Sequence, residues 1–193
     1  MRLWSKSRGV LWYALACFSI AITVALVGTT ELFIPNLVTG GLNHFAIAYA
    51  LPVLPILVWC VLSERSQYDI ERVTLRRWNV AFLDLSAIVF PPLIVSIWML
   101  NALEPITIAA GRNLVFYVCM GLAALGFTRR YFAFVPTVLY LLVCSTAGFG
   151  YSAVVPFGWA FVLGEWDPAR NIPTLWIALG VSVIWFLSRR VPG

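Results

Sequence analysis

Six long apolar runs dominate this sequence and limit what the chain can fold into. Within them only one residue, Asp84, is charged. A helix needs roughly 20 apolar residues to cross the hydrocarbon of a bilayer, and a soluble domain of 193 residues could not bury a chain that is 62% hydrophobic. We therefore predict an all-α, polytopic membrane protein, one transmembrane domain over residues 1–193, with spans Val10–Val27, Phe45–Leu62, Val80–Leu100, Leu114–Phe127, Tyr131–Gly148 and Pro173–Leu187.

Two of these boundaries leave an alternative. The fourth span is short unless it begins nearer to Ile108. The basic segment from Met1 to Gly9 precedes an apolar run, as in a signal peptide, but no A-x-A-like cleavage site follows that run. We expect the first run to be retained as a span.

The distribution of basic residues predicts the orientation. Lys and Arg near span ends are retained on the cytoplasmic side. With the N-terminus inside, eleven of the thirteen basic residues lie inside, and only Arg112 and Arg170 lie outside. Both termini are therefore predicted to be cytoplasmic, in a cell membrane of bacterial type.

Charge is concentrated in the segment between the second and third spans, residues 63–79. Seven of the fourteen residues from Glu64 to Arg77 are charged. Around Tyr68 to Trp78 the pattern favours a short amphipathic helix, because Asp69, Arg72 and Arg76 share one face. Such a helix either anchors the topology against anionic lipid or docks a cytosolic partner.

Several kinds of chemistry are missing from the sequence. The only lysine is Lys6 and the only histidine is His44, so the chain has neither a G-x-x-x-x-G-K-[ST] loop nor an H-E-x-x-H motif. No G-x-S-x-G elbow is present. The four cysteines lie in or beside apolar runs, which is typical of small buried hydrophobes. We expect no enzymatic activity, no metal site and no bound cofactor in this chain.

Polar residues in or beside the spans are the next candidates, because they are costly in a membrane and tend to be functional. Asp84 is expected near one end of the third span. Arg112 and Asn113 are expected to open the fourth span from the outside. For Arg112 two interpretations stand, a structural ion pair with Glu104 or Glu31, or a place on a translocation path.

The external segment from Phe149 to Asn171 is apolar but interrupted. Pro156 and Gly158 break it, and Trp159 and Trp166 follow the break. A seventh span here would put the C-terminal arginines outside, so a re-entrant or interfacial hairpin is favoured.

This pattern resembles the membrane subunit of an ABC-2-type (type V) ABC transporter, a permease. The shared features are six spans, both ends inside, a charged cytoplasmic helix after the second span, and an apolar hairpin before the sixth. The stretch "GRNLVFYVCMGLAALGFTRRYFAFVPTVLYLLVC", followed by "PFGWAFVLGEWDPA", is similar to small actinobacterial export permeases. The layout covers the whole chain, and the sequence likeness covers about Gly111 to Asp167.

The resemblance implies that two membrane subunits, of the same or different chains, pair with separate cytosolic ATPase subunits that bind ATP and Mg²⁺. Contact with the ATPase would then fall on the charged segment, through Tyr68, Asp69, Glu71, Arg72, Arg76 and Arg77. Two other functions stay open, the substrate-binding subunit of an energy-coupling-factor importer and a non-transport membrane partner such as an immunity protein.

Overall fold

The computed structural model describes residues 9–64, 77–102, 104–125, 132–149, 156–164 and 167–190. The fold in these ranges is mostly helical. The six α-helices are α1 (Val10–Val27), α2 (Leu54–Glu64), α3 (Arg77–Leu100), α4 (Pro105–Ala124), α5 (Val135–Ala147) and α6 (Pro168–Arg190).

Three helical segments of the described chain are long and apolar enough to cross a membrane, namely Val10–Val27, Phe82–Leu100 and Pro105–Ala124. Three others are apolar but shorter, namely Ile47–Leu62, Val135–Ala147 and Asn171–Leu187. All six match the predicted runs in position. On α1 and α6 the outward faces carry large apolar side chains such as Leu26, Trp176 and Ile184. Such extensive exposed apolar surface is compatible with a membrane protein.

The central element is α4. It packs against α1, α3, α5 and α6, and fourteen of its twenty residues are buried. Two glycines permit this close packing. A Cβ at Gly111 would lie 3.0 Å from Met99 Cβ on α3, and a Cβ at Gly121 would lie 2.6 Å from Ile56 Cδ1 on α2. The other helices can therefore approach the backbone of α4 directly.

A two-stranded antiparallel hairpin departs from the all-α prediction. Strands β1 (Glu31–Pro35) and β2 (Leu42–Ala46) pair between α1 and α2, with Phe33 opposite His44. The sequence analysis treated this region as a loop, because two five-residue strands are too short to stand out between apolar runs. The turn between them includes Gly40 at φ 71°, a conformation that glycine adopts readily.

Prolines modify the helices without ending them. Pro91 and Pro92 lie inside α3, and Pro92 has no N–H for the carbonyl of Ile88 four residues earlier. The hydroxyl of Tyr13 on α1 donates to that carbonyl oxygen at 2.9 Å. Before α2 the chain instead forms two 3-10 turns, Ile47–Tyr49 and Leu51–Val53, the second of which contains Pro52.

Four predicted span starts differ from the helix starts by four residues or more: α2 begins at Leu54 rather than Phe45, which lies in β2, α5 begins at Val135 rather than Tyr131, and α4 and α6 begin earlier than predicted. The fourth helix begins at Pro105 rather than Leu114, and the sixth at Pro168 rather than Pro173. Each begins with a proline at its first turn, a position where the missing N–H has no helical partner to lose. As a result, Arg112 and Asn113 lie inside α4 and not in a loop. The four cysteines are buried and free, as predicted.

Most of the charged segment lies outside the described residues, including Tyr68, Asp69, Glu71, Arg72 and Arg76. Arg77 is the first residue of α3. The docking-helix prediction for residues 63–79 is therefore untested.

Candidate functional site

Arg112 is buried in the middle of the central helix. It is the eighth of the twenty residues of α4, about 10 Å along the axis from Pro105. Its side chain is only 1% exposed. A buried charge in a membrane-spanning helix is costly unless protein groups solvate it, so its surroundings define the candidate site.

The guanidinium of Arg112 is held by a compact polar cluster. Its Nε–H donates to Asn113 Oδ1 at 3.1 Å, and its Nη2–H donates to the Val162 carbonyl oxygen at 2.8 Å. Asn113 Nδ2–H donates to the same carbonyl oxygen, also at 2.8 Å. The arginine carbon Cζ lies 5.1 Å from the ring centroid of Phe161. We call Arg112, Asn113, Phe161 and Val162 the arginine cluster.

A non-α segment supplies the carbonyl and the ring. Residues Gly158–Leu163 form a 3-10 turn with a break at Ala160, and Ala160 and Val162 are fully buried. The segment is fixed to the end of α5, since Phe149 bridges Pro156 and the Phe157 N–H donates to Gly148 O at 2.8 Å. Gly148 allows this approach, because a Cβ there would lie 2.9 Å from Ala160 Cβ.

The arginine cluster thus joins α4 to a broken backbone segment. Phe116 on α4 stacks edge-on against Phe161, with ring centroids 4.6 Å apart and planes at 85°. The carbonyl dipole, the amide oxygen and the face of the ring all attract a positive charge. The cluster can therefore keep an arginine ionised inside an apolar bundle.

An apolar cavity of about 220 Å³ borders the cluster between α3, α4 and α6. It is partly open to the outside of the bundle, between Ile97 on α3 and Trp176 on α6. Arg112 and Gly111 form part of its floor, and Ser96 Oγ–H donates to Gly111 O at 2.7 Å. Such a mostly apolar cavity with few polar groups is typical of a ligand site.

The carboxylates proposed as partners of Arg112 lie elsewhere. Glu31 Oε2 contacts His44 Nδ1 at 2.8 Å, at the exposed base of the hairpin. Glu104 is exposed beside a second, more polar cavity, and its carboxylate accepts a 3.5 Å bond from Thr107 Oγ1. An ion pair of Arg112 with Glu104 or Glu31 was the wrong alternative.

The other predicted residues are not brought to the arginine cluster as a group. Asp84 is buried on α3, but it lies twelve residues, or about 18 Å of helix, from Ser96 beside the cluster. Between α5 and α6, Pro156 bridges Phe149 and Gly158 is the first residue of the 3-10 segment. Trp166 is outside the described residues, and the structure describes only the backbone of Trp159.

Two buried asparagines were missed by the sequence analysis. Asn36 Nδ2–H donates to Asn43 Oδ1 at 2.9 Å and to Phe149 O at 3.2 Å, and Asn43 Nδ2–H donates to Ser145 O at 2.9 Å. They join the hairpin to the end of α5. The available signal was their position on either side of a turn with two glycines, in which asparagine commonly bonds the backbone.

Comparisons of the chain with protein-family models, with curated proteins and with solved structures find no match.

Proposed function

We propose that this chain is the membrane-spanning subunit of an ATP-driven transporter, an ABC-2-type permease that acts as an exporter. In this proposal the six helices cross the membrane, both termini are cytoplasmic, and the chain pairs with a second membrane subunit and with separate ATPase subunits. The observation that carries the transport part is the arginine cluster. A charge is kept in the middle of a central helix, beside a cavity and a broken segment.

The position of the cluster supports a transport role over a purely architectural one. Charged side chains inside a bundle face its interior or a cavity, and they commonly mark a substrate or ion pathway. Non-helical backbone at membrane depth is tolerated only where protein shelters it or where it lines a cavity. Arg112 is a charged side chain in the interior of the bundle. The segment Gly158–Leu163 is non-helical backbone sheltered by protein, since Ala160 and Val162 are fully buried.

The arrangement of the helix ends supports the six-span topology. The hairpin that follows α1 bonds to the C-terminal end of α5, so those two helix ends share one side of the bundle. Helices α1 and α5 are both predicted to run outward. The segment after α5 likewise meets the first half of α4, which is predicted to run inward.

A separate source of energy is part of the proposal. No phosphate-binding loop is present in the sequence, so the energy for transport must come from a partner or from an ion gradient, and the proposal takes a partner ATPase. The charged segment 63–79 on the predicted cytoplasmic side is the proposed contact. Closure of the ATPase dimer would be transmitted through it to α3, the helix that begins within the segment at Arg77 and borders the cavity.

A second candidate function is favoured by the cavity itself. A partly enclosed space within one chain, lined by three helices, also suits the substrate-binding subunit of an energy-coupling-factor importer. That subunit would hold a small ligand without any partner. A non-transport membrane partner, the third possibility, would need neither a ligand nor an ATPase.

The first experiment is a mild-detergent pull-down of the tagged chain from its native cells, followed by mass spectrometry of retained proteins and small molecules. An ATP-binding protein at equal stoichiometry is expected. A chain recovered alone with a bound small molecule would favour the importer subunit. A chain recovered with neither would refute both transport functions.

Charge reversal then tests the contact with the ATPase. Arg72→Glu with Arg76→Glu is expected to release the ATPase from the purified complex. The matched control is Arg189→Glu with Arg190→Glu, the same charge change on the same predicted side, which should leave the complex intact. Equal retention of the ATPase by both variants would exclude the docking role of the segment.

A further inference from the structure

The hairpin between α1 and α2 carries apolar side chains where an external loop of a soluble protein would carry polar ones. On its outward face Phe33 is 63% exposed and Leu42 is 59% exposed, and at the tip Leu37 is 78% exposed. The ionisable pair lies away from the turn, with Glu31 in the register pair nearest to α1 and His44 opposite Phe33 in the middle of the hairpin. The turn itself, residues 36–41, carries no ionisable side chain.

The backbone N–H groups of the tip are all bonded within the protein. Asn36 Oδ1 accepts from Val38 and Thr39, and Thr146 O on α5 accepts from Leu37 at 2.9 Å. The remaining donor–acceptor pairs are Asn36 N to Gly41 O, Gly40 N to Asn36 O, and Gly41 N to Thr39 Oγ1. The carbonyl oxygens of residues 37–40 accept no hydrogen bond from the described residues. Because backbone groups in hydrocarbon need partners, the bonded N–H groups can lie away from water, whereas the open carbonyl oxygens must stay within reach of it.

The helix end beneath the tip is satisfied in the same way. The last carbonyls of an α-helix have no helical partner. In α5, Ser145 O accepts from Asn43, Thr146 O accepts from Leu37, and just beyond the helix Phe149 O accepts from Asn36. The hairpin thus replaces the water that would otherwise solvate this helix end.

Helix length places the tip below the membrane surface. The 13 residues of α5 rise about 20 Å, against roughly 30 Å for the hydrocarbon. Two residues before the first residue of α5, the carbonyl oxygen of Ala133 would be 4.0 Å from a Cβ on Gly121, near the end of α4. The shortfall therefore lies mainly at the other end, where the hairpin is bonded.

We propose that the tip of this hairpin inserts into the outer leaflet, with the side chains of Leu37, Val38 and Leu42 among the acyl chains and the open backbone carbonyls at the polar edge of the hydrocarbon. The occupant of its exposed apolar face is lipid acyl chain. The hairpin caps the short helix α5 and fills the space above it, with its base at the aqueous surface. This inference rests on the membrane-spanning arrangement proposed above but not on any transport activity.

The test is the depth of a nitroxide on the tip. Leu37→Cys is labelled in the full chain, reconstituted at low density into phosphatidylcholine vesicles, and its accessibility to oxygen and to a polar nickel chelate is measured. Ile22→Cys, on the exposed face of α1, gives the lipid reference, and Asn101→Cys, exposed at the end of α3, gives the water reference. The native cysteines are buried, and unsubstituted chain treated with the label controls for them.

The oxygen-to-nickel ratio at Leu37 is expected to be close to that at Ile22 and several-fold above that at Asn101. A label at Leu42 is the second reporter, for the case in which substitution at Leu37 disturbs the fold. It should give the same ratio. A ratio like that of Asn101 at both positions would overturn the proposal. Shielding from both reagents would also overturn it, because a second copy or another protein would then cover the tip. A water-like ratio at Ile22 would refute the spanning arrangement itself.

Discussion

Replacement of Asn36 by alanine should destabilise the fold far more than its place in an external turn suggests. The side chain is buried and makes four hydrogen bonds, two as acceptor from Val38 and Thr39 and two as donor to Asn43 and Phe149. Each hydrogen bond contributes about 1 kcal/mol net to the free energy of unfolding, and the two that are only partly buried contribute less. The substitution should therefore lower that free energy by about 3 kcal/mol. At roughly 2–4 °C per kcal/mol for a chain of this size, the unfolding midpoint should fall by about 6–12 °C.

Thermal unfolding of the purified protein, followed by loss of the monodisperse peak on size exclusion, measures this shift. Asn101→Ala is the matched control, since Asn101 is exposed and its side chain bonds only the carbonyl of Ile97. Asn36→Asp, although closer in shape, should be no better than Asn36→Ala, because it places a carboxylate oxygen against Asn43 Oδ1 and Phe149 O. Equal midpoints for Asn36→Ala and Asn101→Ala would refute the argument that the asparagines hold the hairpin on α5.

Two further predictions concern the packing of the bundle. Tyr13→Phe should lower the free energy of unfolding by about 1–2 kcal/mol, because it leaves the buried Ile88 carbonyl without its donor. In a Pro92→Ala background the helix supplies an N–H to that carbonyl, so the loss measured in a thermal double-mutant cycle should be smaller. An unchanged loss would contradict the role assigned to Tyr13. Gly121→Ala should lower the free energy of unfolding by about 1–3 kcal/mol, because the added methyl group overpacks against Ile56. Adding Ile56→Val, which removes the nearest methyl group, should recover part of that loss in the same assay. A Gly121→Ala variant as stable as the unsubstituted chain would show that α2 can move away.

The helical part of the fold could be predicted because the signal was long. Runs of some 14 to 21 residues, with Asp84 as their only charged residue, match helices in position, although several boundaries differ. The starts at Pro105 and Pro168 were missed for one reason. Each proline opens a helix, but polar residues follow it within the first turns, and the apolar run that marked the predicted span begins only after them. Arg112 and Asn113 were therefore expected at the start of the fourth span, whereas they are the eighth and ninth residues of α4.

The contacts of the candidate site could not be predicted in the same way. Arg112 was singled out because a basic residue was unexpected on the outer side, and the structure shows this residue buried in a polar cluster. Its partners were not found, since Val162 contributes a backbone carbonyl, which leaves no trace in residue identity. Asn36 and Asn43 were missed because their bonds join positions more than 100 residues apart in sequence. Asp84 is buried on α3, but no described contact connects it to the arginine cluster.

A common rule accounts for many of the buried polar side chains in the described parts of the bundle. Tyr13, Ser96, Asn43 and Tyr117 each donate to a main-chain carbonyl on another element. Each of these side chains satisfies backbone at a proline, a close helix crossing or a helix end, which is the structural need for polar groups in a membrane.

Arg112 does not fit that rule. The Val162 carbonyl already accepts from Asn113, so satisfying that oxygen does not require a second donor, least of all one with a full charge. The position of an arginine there, against the face of Phe161 and beside a cavity, is the strongest reason to look for the function of this chain at the arginine cluster.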